Sequence, residues 1–241
     1  MQIILDEGYQ FGLGLFETIS VENGRPVFLG RHLERLHASL TEFGISRTVT
    51  KTAVMEFLSS RKGEHYALKI MVSDKNLLFT TRPNPYTPDK IQKGFRLVYS
   101  SVYRNETSPL VRHKTMNYGD CILEKRRAAS LNADEQIFLN SKGEICEGTT
   151  TNIFFVRNGK IYTPPVSCGL LPGVMRRFVM ENFNVTECIL KKEDILQMEE
   201  CFVTNSLMGI MPVNSLGEQA FCQRQTTGHC IKAYQNHLNS I

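Results

Sequence analysis

The sequence predicts a mixed α/β chain, and three observations carry that expectation. Apolar residues recur at helical spacing in several segments, period-two alternation marks strands between them, and Asn-Gly pairs supply hairpin turns. The chain has 241 residues, 41% hydrophobic and 22% charged. That is ordinary globular composition, enough for one large domain or two modest ones with real cores.

Taken in order, residues 9–22 read as a turn feeding a strand. Gly12 and Gly14 flank Leu13, and Phe16, Thr18 and Ser20 alternate with Leu15, Glu17 and Ile19. Turn geometry explains the two glycines. With no third glycine and no helix behind them, they form no dinucleotide fingerprint. Asn23-Gly24 predicts a hairpin. Leu33, Leu36, Leu40 and Phe43 then set an amphipathic helix over 30–43, stopped at Gly44, with Arg31, His32 and Arg35 among its polar positions. A second helix spans 50–60 with Val54, Phe57 and Leu58 inward. Strands follow at 66–72, 76–81 and 95–100, with an irregular segment marked by Pro83, Pro85 and Pro88.

Residues 103–113 show little periodicity and read as a connector that leads to Lys114. Loops on a rigid scaffold often carry function. A helix over about 117–131, strands at 136–139, 145–148 and 152–156, and the Asn158-Gly159 hairpin come next. Gly169, Leu170, Leu171, Pro172 and Gly173 open a helix that runs to about 182. Its start exposes backbone N–H groups, a natural phosphate site. The remainder reads as strands at 186–190 and 200–204, a short helix near 192–198, a turn at 205–209 and a polar helix over 226–238.

Composition excludes several classes. Net charge is +4, and the densest basic runs, Lys125-Arg126-Arg127 and Lys191-Lys192, are too short for a nucleic-acid stripe. A mild basic excess fits anionic small molecules. No apolar run approaches the ~20 residues of a membrane span, and Met1-Gln2-Ile3-Ile4 begins no signal peptide, so a cytoplasmic protein is expected. The seven cysteines, at 121, 146, 168, 188, 201, 222 and 230, contain no CxxC and read as buried thiols. The histidines offer no HExxH or close metal pairing, and no metal is expected.

Pyridoxal phosphate needs a lysine amine, a carboxylate at the ring nitrogen, a phosphate cradle and an apolar ring face. The chain offers Lys114, then Glu147 in the run Glu147, Gly148, Thr149, Thr150, Thr151, Asn152, then Leu171 ahead of a helix start. Chemistry alone does not select these residues. Their order does: Lys114 with Asn117 and Tyr118, Glu147-Gly148 with Asn152-Ile153-Phe154, the arm Tyr162-Thr163-Pro164-Pro165, and Leu171-Pro172-Gly173-Val174 with Arg176. It resembles the fold-type IV pyridoxal phosphate enzymes over most of residues 9–213. That family includes branched-chain and D-amino acid aminotransferases and the 4-amino-4-deoxychorismate lyases.

The resemblance implies a two-domain α/β (α+β) fold of the D-amino acid aminotransferase type. The domains are expected at about 1–106 and 109–241, with a linker near 103–113 and the cofactor between them. It implies a homodimer in which a partner loop completes the site for a small-molecule substrate. By motif, Lys114 is similar to the Schiff-base lysine and proton shuttle, and Glu147 to the acid at the pyridine nitrogen. Arg35, Ser206 and the backbone of Val174 and Met175 match the phosphate contacts, and Leu171 the residue against the ring. Thr150 and Thr151 match hydroxyls that bridge toward the site. Thr18 matches a hydroxyl that assists proton transfer, and Arg104 a partner for a substrate carboxylate.

The runs 11–18, 104–109, 114–118 and 205–213 are most similar to the lyase branch. The implied reaction converts 4-amino-4-deoxychorismate to 4-aminobenzoate and pyruvate, in folate biosynthesis. The alternative is an aminotransferase acting on branched-chain or D-amino acids. The Arg-x-His pair of the D-amino acid enzymes is missing from 72–82. Three departures stand out: Glu7-Gly8-Tyr9 at the N-terminus, His113 before the lysine, and Met175 where Thr or Ser is frequent.

Overall fold

The structure is a computed structural model that describes residues 2–61 and 63–240. The chain divides into two compact units. Among the described residues, the first is 2–85 with 113–118, and the second is 86–112 with 119–240.

The first unit begins with a short helix, α1 (Glu7–Phe11), whose Tyr9 N–H is accepted by the Asp6 carboxylate. Then come β1 (Leu15–Glu22), β2 (Arg25–Pro26), α2 (Leu29–Glu42), α3 (Lys51–Ser59), β3 (His65–Val72) and β4 (Leu77–Pro83). The four strands form an antiparallel sheet in the order β2-β1-β3-β4. Side chains alternate across a strand. Leu15, Ile19 and Val21 of β1 therefore join Leu68, Ile70 and Val72 of β3 in a core closed by Leu33, Leu36 and Leu40 of α2. Phe16, Thr18 and Ser20 take the opposite face, where the register sets Phe16 against Met71 and Thr18 against Lys69. The i, i+3, i+7 leucines of α2 are the stripe that the sequence displays, and Gly44 at φ +65° ends it.

The second unit contains α4 (Pro88–Lys93), β5 (Phe95–Arg104), α5 (Gly119–Ser130), β6 (Glu135–Asn140), β7 (Ile145–Gly148), β8 (Asn152–Arg157), β9 (Lys160–Thr163), α6 (Val174–Asn182), β10 (Val185–Glu187), β11 (Glu200–Asn205), β12 (Gly209–Leu216), β13 (Gln219–Ala220) and α7 (Gln225–Asn239). Its mixed sheet runs β10-β9-β8-β11-β12-β5-β6-β7, with β13 on β12. Strand β5 is parallel to both β12 and β6, while β8 and β11 are antiparallel. Strands β6 and β8 are covered on both faces, which explains their continuous apolar runs. On one face Phe155, Ile153, Val203 and Met211 pack with Leu97 and Ile137. On the other, Phe154 stacks on Phe202 at 4.8 Å between centroids. Buried Glu200 accepts from the N–H groups of Thr226 and Thr227 and from the Thr227 hydroxyl, which caps α7.

Three features differ from the sequence reading. Helix α1 stands where only a turn was expected. Strand β5 runs through Arg104, because Tyr103 and Arg104 pair with Leu139 and Asn140 of β6. Residues 86–112 consequently group with the second unit, and 113–118 with the first, in place of one division near 103–113. No helix among the described residues is long and apolar enough to cross a membrane.

Phe155 is fully buried and Leu196 is 66% exposed. Phe155→Ala is expected to cost about 3–5 kcal/mol and Leu196→Ala about 0.5 or less, read by chemical denaturation.

Candidate active site

Lys114 belongs to the first unit, where backbone hydrogen bonds fix it before any side-chain contact does. Phe16 N–H donates to Lys114 O at 2.8 Å, and Met116 N–H donates to Gly14 O at 2.7 Å. Leu15 and Thr115 form an antiparallel bridge, so residues 114–116 lie beside the start of β1 as a short strand. The approach is close enough to need glycine. A Cβ on Gly14 would lie 2.6 Å from Met116 Sδ, and Gly12, at φ +72°, would bring one to 3.0 Å from Asn117 N. Behind the lysine, His113 Nδ1 meets the Ser39 hydroxyl at 2.8 Å and its Nε2 meets Glu42 at 3.2 Å, both on α2. The Lys114 ammonium lies over two rings, 4.4 Å from the Phe16 centroid and 4.8 Å from that of Tyr118.

Behind β1 a buried charge network ties α2 to the sheet. Glu17 accepts from Arg35 Nε at 2.8 Å, from Arg35 Nη2 at 2.7 Å and from His32 Nδ1 at 2.7 Å. Burial raises the Glu17 carboxyl, but the Arg35 charge and the His32 contacts outweigh it and hold the group at about 2. Burial lowers His32 against the pull of Glu17, so the ring is neutral and donates through Nδ1. Arg35, expected on a phosphate, thus commits its Nε and Nη2 edge to Glu17. Thr18 is half-buried on the outer face of β1, on the same side as Phe16.

In the second unit the focus is Glu147, at the end of β7. Its Oε1 accepts from Arg104 Nη2 at 2.9 Å, and its Oε2 from the Leu171 N–H at 3.1 Å and from Asn152 Nδ2 at 3.5 Å. Asn152 also donates to Leu171 O at 2.8 Å. A Cβ on Gly173 would collide with Asn152 Oδ1, so the start of α6 is pressed against that side chain. No side chain caps α6, and the first-turn N–H groups at Val174 and Met175 are accepted by no side chain of the Gly173 cap. Thr204 lies opposite Asn152 in the β8–β11 register, and its buried hydroxyl has no partner among the described residues. Ser206 follows in the turn between β11 and β12, which Asn205 Oδ1 shapes by accepting from Leu207 and Met208 N–H.

The guanidinium of Arg104, expected to receive a substrate carboxylate, pairs with Glu147, touches Cys121 Sγ at 3.1 Å and stacks 4.3 Å over Phe138. The hydroxyl of Thr150, expected to bridge toward the site, donates at 2.9 Å to Glu135, a fully buried carboxylate that also takes the Thr149 hydroxyl and Lys125 Nζ. The Thr151 hydroxyl is buried without a partner among the described residues.

Sequence reasoning assigned no role to Glu17, His32, Asn152, Glu135 and Lys69. Lys69 had a legible signal: it is the one charge inside the apolar run Tyr66-Ala67-Leu68-Lys69-Ile70-Met71-Val72. The glutamates carried none, since nothing local marks a carboxylate that a distant strand will bury.

The residues fit pyridoxal phosphate. The first unit presents an amine against aromatic faces. The second presents a carboxylate fixed by three donors, an uncapped helix start, and a buried hydroxyl that lacks an acceptor, the kind of donor a phosphate oxygen takes. No cluster of three His, Cys, Asp or Glu able to hold a metal occurs among the described residues.

Comparison with known proteins adds the following. Residues 14–216 match the model of the family described as amino-transferase class IV. The chain is 30% identical to an aminodeoxychorismate lyase of Bacillus subtilis over 238 residues, 88% of this chain and 80% of that protein. It is 29% identical to a putative branched-chain-amino-acid aminotransferase of Methanocaldococcus jannaschii, over 99% of this chain and 90% of that one. A crystal structure of a putative 4-amino-4-deoxychorismate lyase from Legionella pneumophila superposes with a TM-score of 0.88 at 27% identity, covering 98% of this chain and 95% of that one.

Glu17 gives the protein an acid limit. Its folded pKa lies below the ordinary 4.5, so its stabilisation is complete above about 4.5 and is lost as the pH falls toward 2. A fully buried group shifted this far contributes about 3 kcal/mol. Glu17→Gln is expected to be less stable at pH 7 and to lose less stability than the parent between pH 4.5 and 2.5, in denaturant titrations at each pH.

Proposed function

This chain belongs to the amino-transferase class IV family, and from that membership we propose that it is a pyridoxal-phosphate-dependent lyase converting 4-amino-4-deoxychorismate to 4-aminobenzoate and pyruvate. The observation that supports the lyase reading is the placement of Thr18 on the sheet face of Phe16, the ring over which Lys114 lies. The Lys114 ammonium covers Phe16, and Thr18, two residues along β1, presents a hydroxyl on the same face. One group can take a proton from the amine-bearing carbon while the other supplies one to a departing enolate. The likeness to the Bacillus subtilis lyase supports the same reading.

Pyridoxal phosphate, when bound, supplies an electron sink for charge at the amine-bearing carbon. Lys114 would hold the cofactor through its amine and, once freed, would accept the proton from the amine-bearing carbon of the substrate. As the ether bond to the enolpyruvyl group breaks and the substrate ring becomes aromatic, the Thr18 hydroxyl or the Lys114 ammonium would protonate the leaving enolate to give pyruvate. Glu147, held by Arg104 and the Leu171 N–H, would support the positive charge at the cofactor's ring nitrogen, and Leu171 would offer it an apolar surface. The N–H groups of Val174 and Met175, the Ser206 and Thr204 hydroxyls, and Arg35 steadied by Glu17 would hold the phosphate. Thr151 would serve the site as a buried hydroxyl, and Thr150 would act through Glu135 to hold the loop in shape.

An aminotransferase would use the same Lys114 to return the proton to the cofactor and would require a keto acid. The Methanocaldococcus relative supports that second reading. We place the protein in the cytoplasm as a homodimer. Five of its cysteines are buried, and Tyr9, Phe11, Tyr103 and Leu123 are each 60% exposed or more, apolar surface suited to a second copy.

With aminodeoxychorismate and no keto acid, equal amounts of 4-aminobenzoate and pyruvate are expected. Turnover of an amino acid only when a keto acid is added would overturn the lyase assignment. Lys114→Ala is expected to lower turnover about 10²–10⁴-fold or more and to abolish borohydride fixation of the cofactor. Thr18→Val is expected to lower turnover about 10²-fold while fixation persists.

A further inference from the structure

Helix α2 carries two stripes. Leu29, Leu33, Leu36 and Leu40 face the core. Beside them His32, Arg35, Ser39 and Glu42 follow at spacings of three, four and three, which sets them on one adjoining face. This polar stripe holds two segments of the first unit that lie far apart in sequence. Its first half, His32 and Arg35, grips Glu17 of β1. Its second half, Ser39 and Glu42, grips His113.

The His113 ring is 11% exposed and stands edge-on to Phe43 at 5.1 Å between centroids. Glu42 can only accept, so Nε2 carries a hydrogen, while the Ser39 hydroxyl can donate to Nδ1 or accept from it. Both contacts therefore stand whether the ring is neutral or charged. Ser39 is 4% exposed and the Glu42 side chain 59%, so the serine bond is sheltered and the carboxylate bond is partly screened. The lysine amine acts on the same stripe. Burial lowers His32, Glu17 opposes it, and the charges of Arg35 and Lys114 lower it further.

We propose that His113 is a positioning residue acting through Lys114: by clasping Ser39 and Glu42 it sets the lysine segment in register with Arg35, so that an amine and a guanidinium match the two ends of a rigid cofactor. This rests on the reading of Lys114 as the amine that holds pyridoxal phosphate and of Arg35 as a phosphate contact. The aldehyde and the phosphate of that cofactor are borne on one flat ring, so their separation is nearly fixed. A protein that grips both gains affinity only if its two grips are already spaced to match. Three elements set that spacing, and each pair of them is tied. The Phe16 and Met116 hydrogen bonds tie the lysine segment to β1, and Glu17 ties β1 to Arg35 on α2. His113 closes the third side, from the lysine segment to α2.

The test uses the full-length chain freed of cofactor and the variant His113→Phe, which keeps a ring against Phe43 and removes both nitrogens. Binding of pyridoxal phosphate is compared with that of 5′-deoxypyridoxal, which has the aldehyde and no phosphate, each read by the change in ligand absorbance. The variant should bind pyridoxal phosphate about tenfold more weakly and 5′-deoxypyridoxal within about twofold of the parent, since two hydrogen bonds are lost and only the phosphate ligand spans both grips. Equal weakening of the two ligands, or of neither, overturns the proposal. Exchange of the Phe16 and Met116 amide hydrogens should quicken about tenfold in the variant while that of Leu68 and Ile70 in β3 holds, and unchanged exchange at the first pair also overturns it. Ser39→Ala combined with Glu42→Gln removes the clasp from the helix side and serves should thermal unfolding show His113→Phe misfolded. Failure of borohydride to fix pyridoxal phosphate at Lys114 in the parent would count against the functional reading instead, and the amide exchange would still decide whether His113 holds the segment.

Discussion

Two backbone hydrogen bonds, Phe16 to Lys114 and Gly14 to Met116, set the terms for the rest of the first unit. A lysine side chain has four rotatable bonds, so its amine is placed only if its backbone is. Adding residues 114–116 to the start of β1 fixes the peptide, and the rings of Phe16 and Tyr118 then limit where the ammonium can go. The two glycines of the opening turn serve this approach, since a Cβ at either would meet the lysine segment. His113 ties the same segment to α2, the helix that also carries Arg35.

Buried carboxylates organise the remainder, each through a different set of donors. Glu17 joins α2 to β1 through arginine and histidine, Glu135 gathers two threonine hydroxyls, Glu147 takes an arginine and a backbone N–H, and Glu200 caps α7. A buried carboxylate without such donors would be costly, so each one dictates what stands beside it. The positions of Thr149, Thr150, Arg104 and Asn152 follow from this requirement.

Much of the architecture was legible. The leucine stripe of α2, the Asn-Gly hairpins and the period-two strands are local signals, and the observed elements sit on them within a few residues. The candidate site was legible only as an order of motifs, which singled out Lys114, Glu147 and the α6 start as candidates. What the sequence could not convey was long-range. The continuation of β5 to Arg104 depends on pairing with β6, and the turn of Arg104 toward Glu147 depends on two segments 43 residues apart. Lys69 sat in plain view within an apolar strand, but its ring partner Phe16 lies more than fifty residues away on β1.

The lysine segment reaches β1 across about a hundred residues of chain, all of which must be made before the bridge between Leu15 and Thr115 can close. Contacts of such sequence separation form slowly, because the entropy of closing the loop is lost before the contact is gained. The N-terminal strands and helices can collapse early around their own leucines, yet β1 lacks its partner segment until β5 has been made. Closure of that bridge is therefore a late event in the making of each chain, and a ribosome-bound or truncated N-terminal fragment leaves that edge of β1 open.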